Sequence, residues 1–93
     1  MDKYHVYIMT NPKNTALHIG VTRELMRRVY QHKNKLVSGA KNSNLTRLVY
    51  LEECESITEA MKRESQIKGW SRAKKMEMIK KDNPDLEELK IPE

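Results

Sequence analysis

"YHVYIMTNPKNTALHIGVTRELMRRVYQHK", residues 4–33, is the stretch that decides the fold. Its first half contains two short runs rich in Tyr, Val and Ile, at residues 4–10 and 15–21, and the turn-forming residues "NPKN" separate them. This pattern predicts a β-hairpin. Gly20 lies near the end of the second strand, where a glycine indicates either a bulge or a close approach of another group to the backbone.

The second half of this stretch changes to helical spacing, and the pattern continues to about residue 37. Thr22 fits the N-cap position of the predicted helix. The buried face of the helix is predicted to hold Leu25, Val29, His32 and Leu36, at spacings of four, three and four. Arg28 falls on the same face, so an arginine and a histidine are expected to point inward.

The rest of the chain completes an α+β domain. A capping box, "SITE" at residues 56–59, predicts the start of a second helix that runs to about Gly69, and Ser71 is the predicted cap of a third, very basic helix. The other predicted segments are a loop at 38–44, a third strand at 45–53, and a short helix or tail at 83–93. The order β-β-α-β-α-α predicts one domain, residues 1–93 with a core at about 3–82, in which helices flank a small three-stranded sheet.

Composition narrows the class of protein. The chain has 93 residues and a formal net charge of +5, which favours an acidic partner such as nucleic acid. Cys54 is the single cysteine, so an internal disulfide and a Cys-rich zinc site are excluded and a reducing compartment is expected. The sequence has no apolar run of the ~20 residues that a membrane span needs and no signal-peptide pattern, so we expect a cytoplasmic protein without membrane contact.

Glu64 is the most informative residue of the second helix. The inward stripe of this helix is otherwise outlined by Ile57, Ala60, Met61, Ile67 and Lys68. An ionised carboxylate that is buried without a partner costs several kcal/mol. Glu64 is therefore expected in one of three settings: a structural salt bridge, a position at the rim, or a functional site.

Five polar residues are expected to converge if the first two helices both pack on the sheet. Tyr7 and His18 come from the hairpin, and Arg28, His32 and Glu64 come from the helices. A carboxylate, a guanidinium, an imidazole and a phenol are the groups that metal-assisted phosphodiester hydrolysis needs. Each of them separately also has a structural explanation.

These residues resemble the GIY-YIG nuclease superfamily, in its small stand-alone bacterial form, over nearly the whole chain. The two signature tripeptides are similar to "VYI" at residues 6–8 and "HIG" at residues 18–20. The helix motif Leu-x-x-Arg-x-x-x-His is met by Leu25, Arg28 and His32, and the distal glutamate is Glu64 in "AMKRESQIKGWSR". The combination is far more specific than either tripeptide alone.

The resemblance implies an α/β sandwich around an antiparallel three-stranded sheet, and phosphodiester cleavage that depends on one divalent ion. It implies that Glu64 is the sole protein carboxylate on Mg²⁺ or Mn²⁺, ions that keep most of their water ligands. Arg28 would stabilise the charge that develops on the scissile phosphate, and Tyr7 would lie beside the nucleophilic water. His32 would support or orient that group, and Gly20 would let the backbone close over the site.

Two positions depart from the family's signature. Val6 replaces a glycine, a change that suits a strand. His18 replaces the tyrosine at the first position of the second tripeptide. An imidazole with an ordinary pKa near 6.5 accepts a proton directly near neutral pH, which a phenol does not. The same replacement is also compatible with a degenerate site that binds nucleic acid without cleaving it.

The basic residues predict a rim that contacts phosphates: Arg23, Arg27, Lys33, Arg63, Lys68, Arg72, Lys74 and Lys75. No motif for reading bases in a groove is present, so DNA structure or a partner protein is expected to select the target. The leading hypothesis is an endonuclease that acts on DNA rather than RNA, in repair or recombination. The alternatives are a nucleic-acid-binding module without catalysis, and a protein-interaction domain in which the polar residues form a buried network.

Overall fold

The computed structural model describes residues 3–34 and 44–91. Within them the elements are β1 (Tyr4–Thr10), β2 (Leu17–Thr22), α1 (Leu25–Lys33), β3 (Arg47–Cys54), α2 (Ile57–Lys68) and α3 (Arg72–Asp82). The predicted order β-β-α-β-α-α is therefore confirmed. The predicted continuation of the first helix to residue 37, including Leu36, lies outside the described residues, as do residues 38–43 of the loop predicted at 38–44.

The sheet is antiparallel with the strand order β2-β1-β3, which confirms the architecture that the family resemblance implies. The central strand β1 is buried on both faces, because helices cover both. Its residues alternate between the faces, so Tyr7 and Met9 lie on one and Val6 and Ile8 on the other. Across the β1–β2 pair, Tyr7 lies opposite Gly20 and Met9 lies opposite His18.

A separate apolar core lies on each face of the sheet. On the α1 side, Leu25 and Val29 of the helix pack with Tyr7 and Met9. On the other side, α2 and α3 contribute Ala60, Ile67 and Ile79, which pack against Val6, Ile8, Ile19 and Val49. The sheet therefore brings residues of α1 and α2 towards β1 and β2 from opposite faces.

Two of the three predicted helix caps are confirmed, and one is wrong. The side chains of Ser56 and Ser71 accept hydrogen bonds from the backbone N–H groups of Glu59 and Lys74, each at 3.2 Å. Thr22 is not the cap of α1, because it pairs with β1 as the last residue of β2, and Glu24 takes the cap position. The Thr22 hydroxyl accepts a hydrogen bond from the Glu24 N–H at 3.0 Å, so it still stabilises the connection.

The inward stripe predicted for α2 is wrong at three positions. Ile57 is 42% exposed, Met61 is 55% exposed, and the Lys68 side chain is 55% exposed. Ala60 and Ile67 are fully buried and form the line of contact with the sheet. The helix is thus rotated about its axis so that the small Ala60 faces the sheet, and the larger Ile57 and Met61 face outward.

The segment after α3 is a turn followed by a tail, and residues 83–91 contain no helix. Asn83 anchors it, because its side-chain amide donates to the carbonyls of Val49 at 3.0 Å and Glu87 at 2.9 Å. The Leu89 N–H donates to the carbonyl of Leu48 at 2.8 Å. Leu89 and Ile91 thereby pack against the core on the α1 side.

Candidate active site

Three aromatic rings meet on the α1 side of the sheet, and we call Tyr7, His18 and His32 the Tyr-His cluster. The ring centroids of His18 and His32 are 4.9 Å apart, and those of Tyr7 lie 6.0 Å from His18 and 5.8 Å from His32. The Tyr7 hydroxyl lies 3.3 Å from His32 Nε2, within hydrogen-bonding distance. Tyr7 and His32 are almost fully buried, whereas His18, on the edge strand β2, is partly exposed.

Gly20 makes room for the Tyr7 ring. A Cβ atom at position 20 would lie 2.5 Å from the Tyr7 hydroxyl oxygen and 2.6 Å from its Cζ. Both distances are far shorter than a non-bonded contact allows. The close approach that the sequence predicted at Gly20 is thus the approach of the Tyr7 phenol to the backbone of β2.

Arg28 acts electrostatically on all three rings of the cluster. Burial raises the pKa of Tyr7, and the charge of Arg28 and its hydrogen bond to the phenol oppose that rise. Burial also lowers the pKa of both histidines, and the positive charge of Arg28 contributes to each shift. A guanidinium on α1 therefore lies close to the phenol and to both imidazoles.

Glu64, on α2 next to the edge strand β2, also acts electrostatically on this cluster. Its negative charge raises the pKa of Tyr7 further and opposes the lowering of the His18 pKa. Its carboxylate pairs with Lys68 at 3.1 Å, and its side chain remains 22% exposed. Two of the three settings expected from the sequence, an ion pair and a rim position, are therefore present together, and a functional role is proposed below.

The protonation states of the cluster follow from these shifts. The pKa of Tyr7 is raised, so the phenol keeps its proton near neutral pH. Burial, with help from Lys68, lowers the pKa of His18, and burial, with help from His18 and Arg28, lowers that of His32 to about 4. Both imidazoles are therefore neutral near pH 7, and His18 is able to accept a proton.

The donor set fits a divalent ion that keeps most of its waters. Among residues 3–34 and 44–91, no three His, Cys, Asp or Glu side chains are grouped so that they could hold a metal ion. Glu64 supplies one accessible carboxylate, and Mg²⁺ is often bound through only one or two protein carboxylates. A caged structural ion would need more ligands than this part of the chain offers.

Seven of the eight predicted phosphate-contacting cations lie on the three helices, Arg23 precedes α1, and most of the set already have partners. Arg27 pairs with Glu24 at 3.3 Å, Lys33 pairs with Glu88, Arg72 donates to the carbonyl of Asn14 at 2.7 Å, and Arg23 lies over the Tyr4 ring. Lys75 is half-buried on α3. Lys68 is the member of the set that contacts Glu64. Sequence reasoning missed that contact, although the i,i+4 spacing of Glu64 and Lys68 was an available signal.

Arg63 is engaged in contacts inside the protein. Its Nε lies 3.1 and 3.0 Å from the two carboxylate oxygens of Glu52, and its Nη1 donates to Gln66 at 2.7 Å. Its guanidinium lies 5.3 Å from the ring centroid of Trp70, and the ammonium of Lys74 lies 4.3 Å from the same ring. Trp70 itself packs against the core on the α2 side.

Comparison with known proteins identifies the arrangement. Residues 3–77 match the GIY-YIG catalytic domain. The chain belongs to the GIY-YIG family. Membership in the GIY-YIG family implies nuclease-type activity, a nucleic-acid substrate and the use of a divalent metal ion.

The alignments with relatives cover nearly the whole length of each relative. A UPF0213 protein of Syntrophus aciditrophicus is 40% identical over 88 residues, which covers 91% of this chain and 98% of the relative. A UPF0213 protein of Staphylococcus saprophyticus is 38% identical over 82 residues, covering 85% and 96%. The solution NMR structure of a UPF0213 protein of Bacillus halodurans matches with a TM-score of 0.59 and 28% identity, over 94% of this chain and 92% of that one.

The described helices also bear on membrane association. In residues 3–34 and 44–91, none of the helices combines the length and the apolar character that a membrane crossing requires.

Proposed function

We propose that this protein is a divalent-metal-dependent endonuclease that hydrolyses phosphodiester bonds in DNA and selects its target by DNA structure. The observation that carries the proposal is that the charges of Arg28 and Glu64, on helices that pack on opposite faces of the sheet, both act on Tyr7 and His18. A cation, a carboxylate and a neutral imidazole then lie within one site. Their combination suits hydrolysis of a phosphodiester.

Each residue has a proposed role. Glu64 holds Mg²⁺ or Mn²⁺, and the bound ion supplies positive charge beside the scissile phosphate. Arg28 donates hydrogen bonds to the phosphate oxygens and stabilises the charge that develops on them. These two residues supply the electrostatic part of catalysis.

The Tyr-His cluster supplies the proton chemistry. His18, neutral near pH 7 and partly exposed, accepts a proton from the attacking water. The Tyr7 phenol keeps its proton and orients that water by hydrogen bonding. His32 holds the phenol through the 3.3 Å contact at Nε2. The replacement of a tyrosine by His18 is in this way compatible with activity.

A binding module without catalysis is the second candidate. The observation that favours it is the ion pair of Glu64 with Lys68, because an ammonium at 3.1 Å competes with a metal ion for the carboxylate. Such a module would bind nucleic acid in a salt-dependent manner and show no metal-dependent turnover.

The nuclease proposal also includes four further points. The substrate is DNA rather than RNA, and a partner protein adds specificity. The protein is cytoplasmic and acts in repair or recombination.

The test is cleavage of labelled single-stranded, duplex and branched DNAs, and of matching RNAs, with Mg²⁺ or Mn²⁺. We expect Glu64→Gln to reduce the cleavage rate by at least ~100-fold, as loss of a group that acts on the transition state does. Glu59→Gln is the matched control, because it removes the same charge from an exposed position on the same helix. It should leave the rate unchanged.

The outcomes separate the two candidates. Turnover that is lost only in Glu64→Gln, with both variants folded by circular dichroism, supports the nuclease. Wild type that binds the DNAs but cleaves none of them with either ion supports the binding module and removes the catalytic roles proposed above.

A further inference from the structure

The helix that carries Glu64 also carries an exposed apolar surface beside it. Ile57, Met61, Glu64 and Lys68 are spaced by four, three and four residues, so they lie along one line on α2. Ile57 is 42% exposed and Met61 is 55% exposed. We call these two side chains the α2 ledge.

The α2 ledge is not needed for the core. Ala60 and Ile67 are fully buried and already form the contact between α2 and the sheet. At a rise of ~1.5 Å per residue, Met61 lies about one helical turn from Glu64, and Ile57 about two turns. The ledge therefore continues the candidate active site along the helix.

The chemistry of the α2 ledge matches a nucleobase rather than a phosphate. Ile and Met side chains offer nothing to a phosphate, which needs cations or hydrogen-bond donors. They do pack against base faces, and proteins use Ile and Met as wedges that separate stacked base pairs. A continuous duplex presents its phosphates on the outside and hides its base faces, so it leaves these side chains without a partner.

Cations flank the α2 ledge on the same helix. Lys68 continues the line beyond Glu64, and Lys62, next to Met61, is exposed. Surfaces that bind unpaired strands combine side chains that contact the bases with positive charge along the backbone, and here the aliphatic ledge and the lysines would supply these two parts.

We propose that the α2 ledge binds unpaired bases next to the scissile phosphate, so that the preferred substrate has separated strands, as in a splayed end, a flap or an overhang. This inference rests on the proposed function, because Glu64 marks the position of the scissile phosphate. A protein partner would also suit an apolar surface. The continuity of the ledge with Glu64 and Lys68 favours the substrate.

The test compares two pairs of substitutions in equilibrium binding. The first is Ile57→Ser with Met61→Ser, on the ledge. The control is Met26→Ser with Tyr30→Ser on α1, where both side chains are 62% exposed, have the same i,i+4 spacing, and are not among the buried residues of the helix. Fluorescence anisotropy in EDTA, which prevents cleavage, measures Kd for three DNAs. They are a duplex with splayed arms, a blunt duplex of the same sequence, and the splayed DNA with abasic sites in both arms.

We expect the ledge substitutions to weaken binding of the splayed DNA roughly tenfold and binding of the blunt duplex less than twofold. With abasic arms, wild type and the ledge variant should bind alike, because the bases that the ledge contacts are missing. The α1 control pair should bind all three DNAs like wild type.

Three results would overturn the inference: unchanged binding of the splayed DNA, equal loss on the blunt duplex, or a loss that persists with abasic arms. A ledge that serves a protein partner gives the first of these. If wild type cleaves DNA and the ledge variant binds the splayed DNA as wild type does, the role of the ledge is refuted and the proposed function is not. Failure of wild type to bind or cleave any DNA or RNA refutes the proposed function and the ledge together.

Discussion

Gly20 fixes the position of the Tyr7 phenol, and this makes it the most sensitive small residue near the site. In Gly20→Ala, the new methyl group would lie 2.5 Å from the hydroxyl oxygen and 2.6 Å from Cζ of a ring that is buried on all sides. The ring has to move or the strands have to separate. We expect a loss of ~1–3 kcal/mol in the free energy of unfolding, as for other overpacked cores, together with loss of nuclease activity.

Gly69→Ala is the matched control for this substitution. A Cβ there meets the Gln66 carbonyl at 3.5 Å, an ordinary contact, and Gly69 has helical backbone angles with φ −80°. Its free energy of unfolding, measured by urea denaturation, should match wild type or rise slightly. Equal stability of the two alanine variants would show that the Tyr7 ring is not held against Gly20.

His32 makes the stability of the fold depend on pH. Burial, with help from the charges of His18 and Arg28, lowers its pKa to about 4 in the folded protein, against an ordinary value near 6.5. Between these values the unfolded chain binds a proton that the folded chain does not, so stability is complete above about pH 6.5 and falls as the pH drops towards 4. We expect a loss on the order of 1–3 kcal/mol across this window.

The variant His32→Gln isolates this contribution. It keeps a polar side chain near Tyr7 but cannot titrate. Its free energy of unfolding, measured in urea between pH 7.5 and 4, should fall less steeply than that of wild type. Parallel curves would show that His32 titrates normally in the folded state.

The residues of the candidate site could be proposed from the sequence, but their contacts could not. Tyr7, Arg28 and Glu64 belong to a motif with fixed spacing, and a motif fixes identity and order along the chain. Gly20 shows the limit. Its sequence context indicated a close approach, yet only the register of β1 and β2 shows that the approaching group is Tyr7.

At the scale of the element, two helix caps could be predicted from the local sequence, whereas the rotation of helix α2 about its axis could not. Ser56 and Ser71 cap their helices as predicted, because a cap is a contact between residues three apart in the chain. The rotation of α2 depends on which side chains the sheet accepts, and the sequence offers four apolar candidates. The sheet takes Ala60 and Ile67, and the two that remain outside, Ile57 and Met61, form the α2 ledge.

At the scale of the whole molecule, the sheet positions the parts of the candidate site. α1 and α2 pack on opposite faces, with separate apolar cores. The site forms where the edge strand β2 and the central strand β1 bring both helices near the same residues, Tyr7 and His18. The sequence predicted convergence on the condition that both helices pack on the sheet. It did not indicate that they use different faces.

The net charge of +5 is also a property of the whole molecule, but the basic residues predicted to contact phosphates are not equally available to do so. The Arg27 side chain is 69% exposed and its pair with Glu24 is of the surface type that contributes little, so it is available to phosphate. The Arg63 side chain is 28% exposed and is held by Glu52, Gln66 and Trp70. We therefore expect these two arginines to differ when DNA binding is measured against salt.

A plot of log K against log salt concentration should be linear, with a slope that counts the phosphate contacts. Arg27→Ala should reduce the magnitude of that slope by about 0.7–0.9, the value of one contact, and leave the melting temperature near that of wild type. Arg63→Ala should leave the slope unchanged but lower the melting temperature, because the half-buried Glu52 carboxylate loses its cationic partner and is left with the hydrogen bond from Tyr50. A slope that falls equally in both variants would mean that Arg63 leaves Glu52 to bind the DNA backbone. In that case the internal contacts of Arg63 would exist only in the protein without DNA. Helix α2 would then present phosphate-binding groups on both sides of the line that carries Glu64.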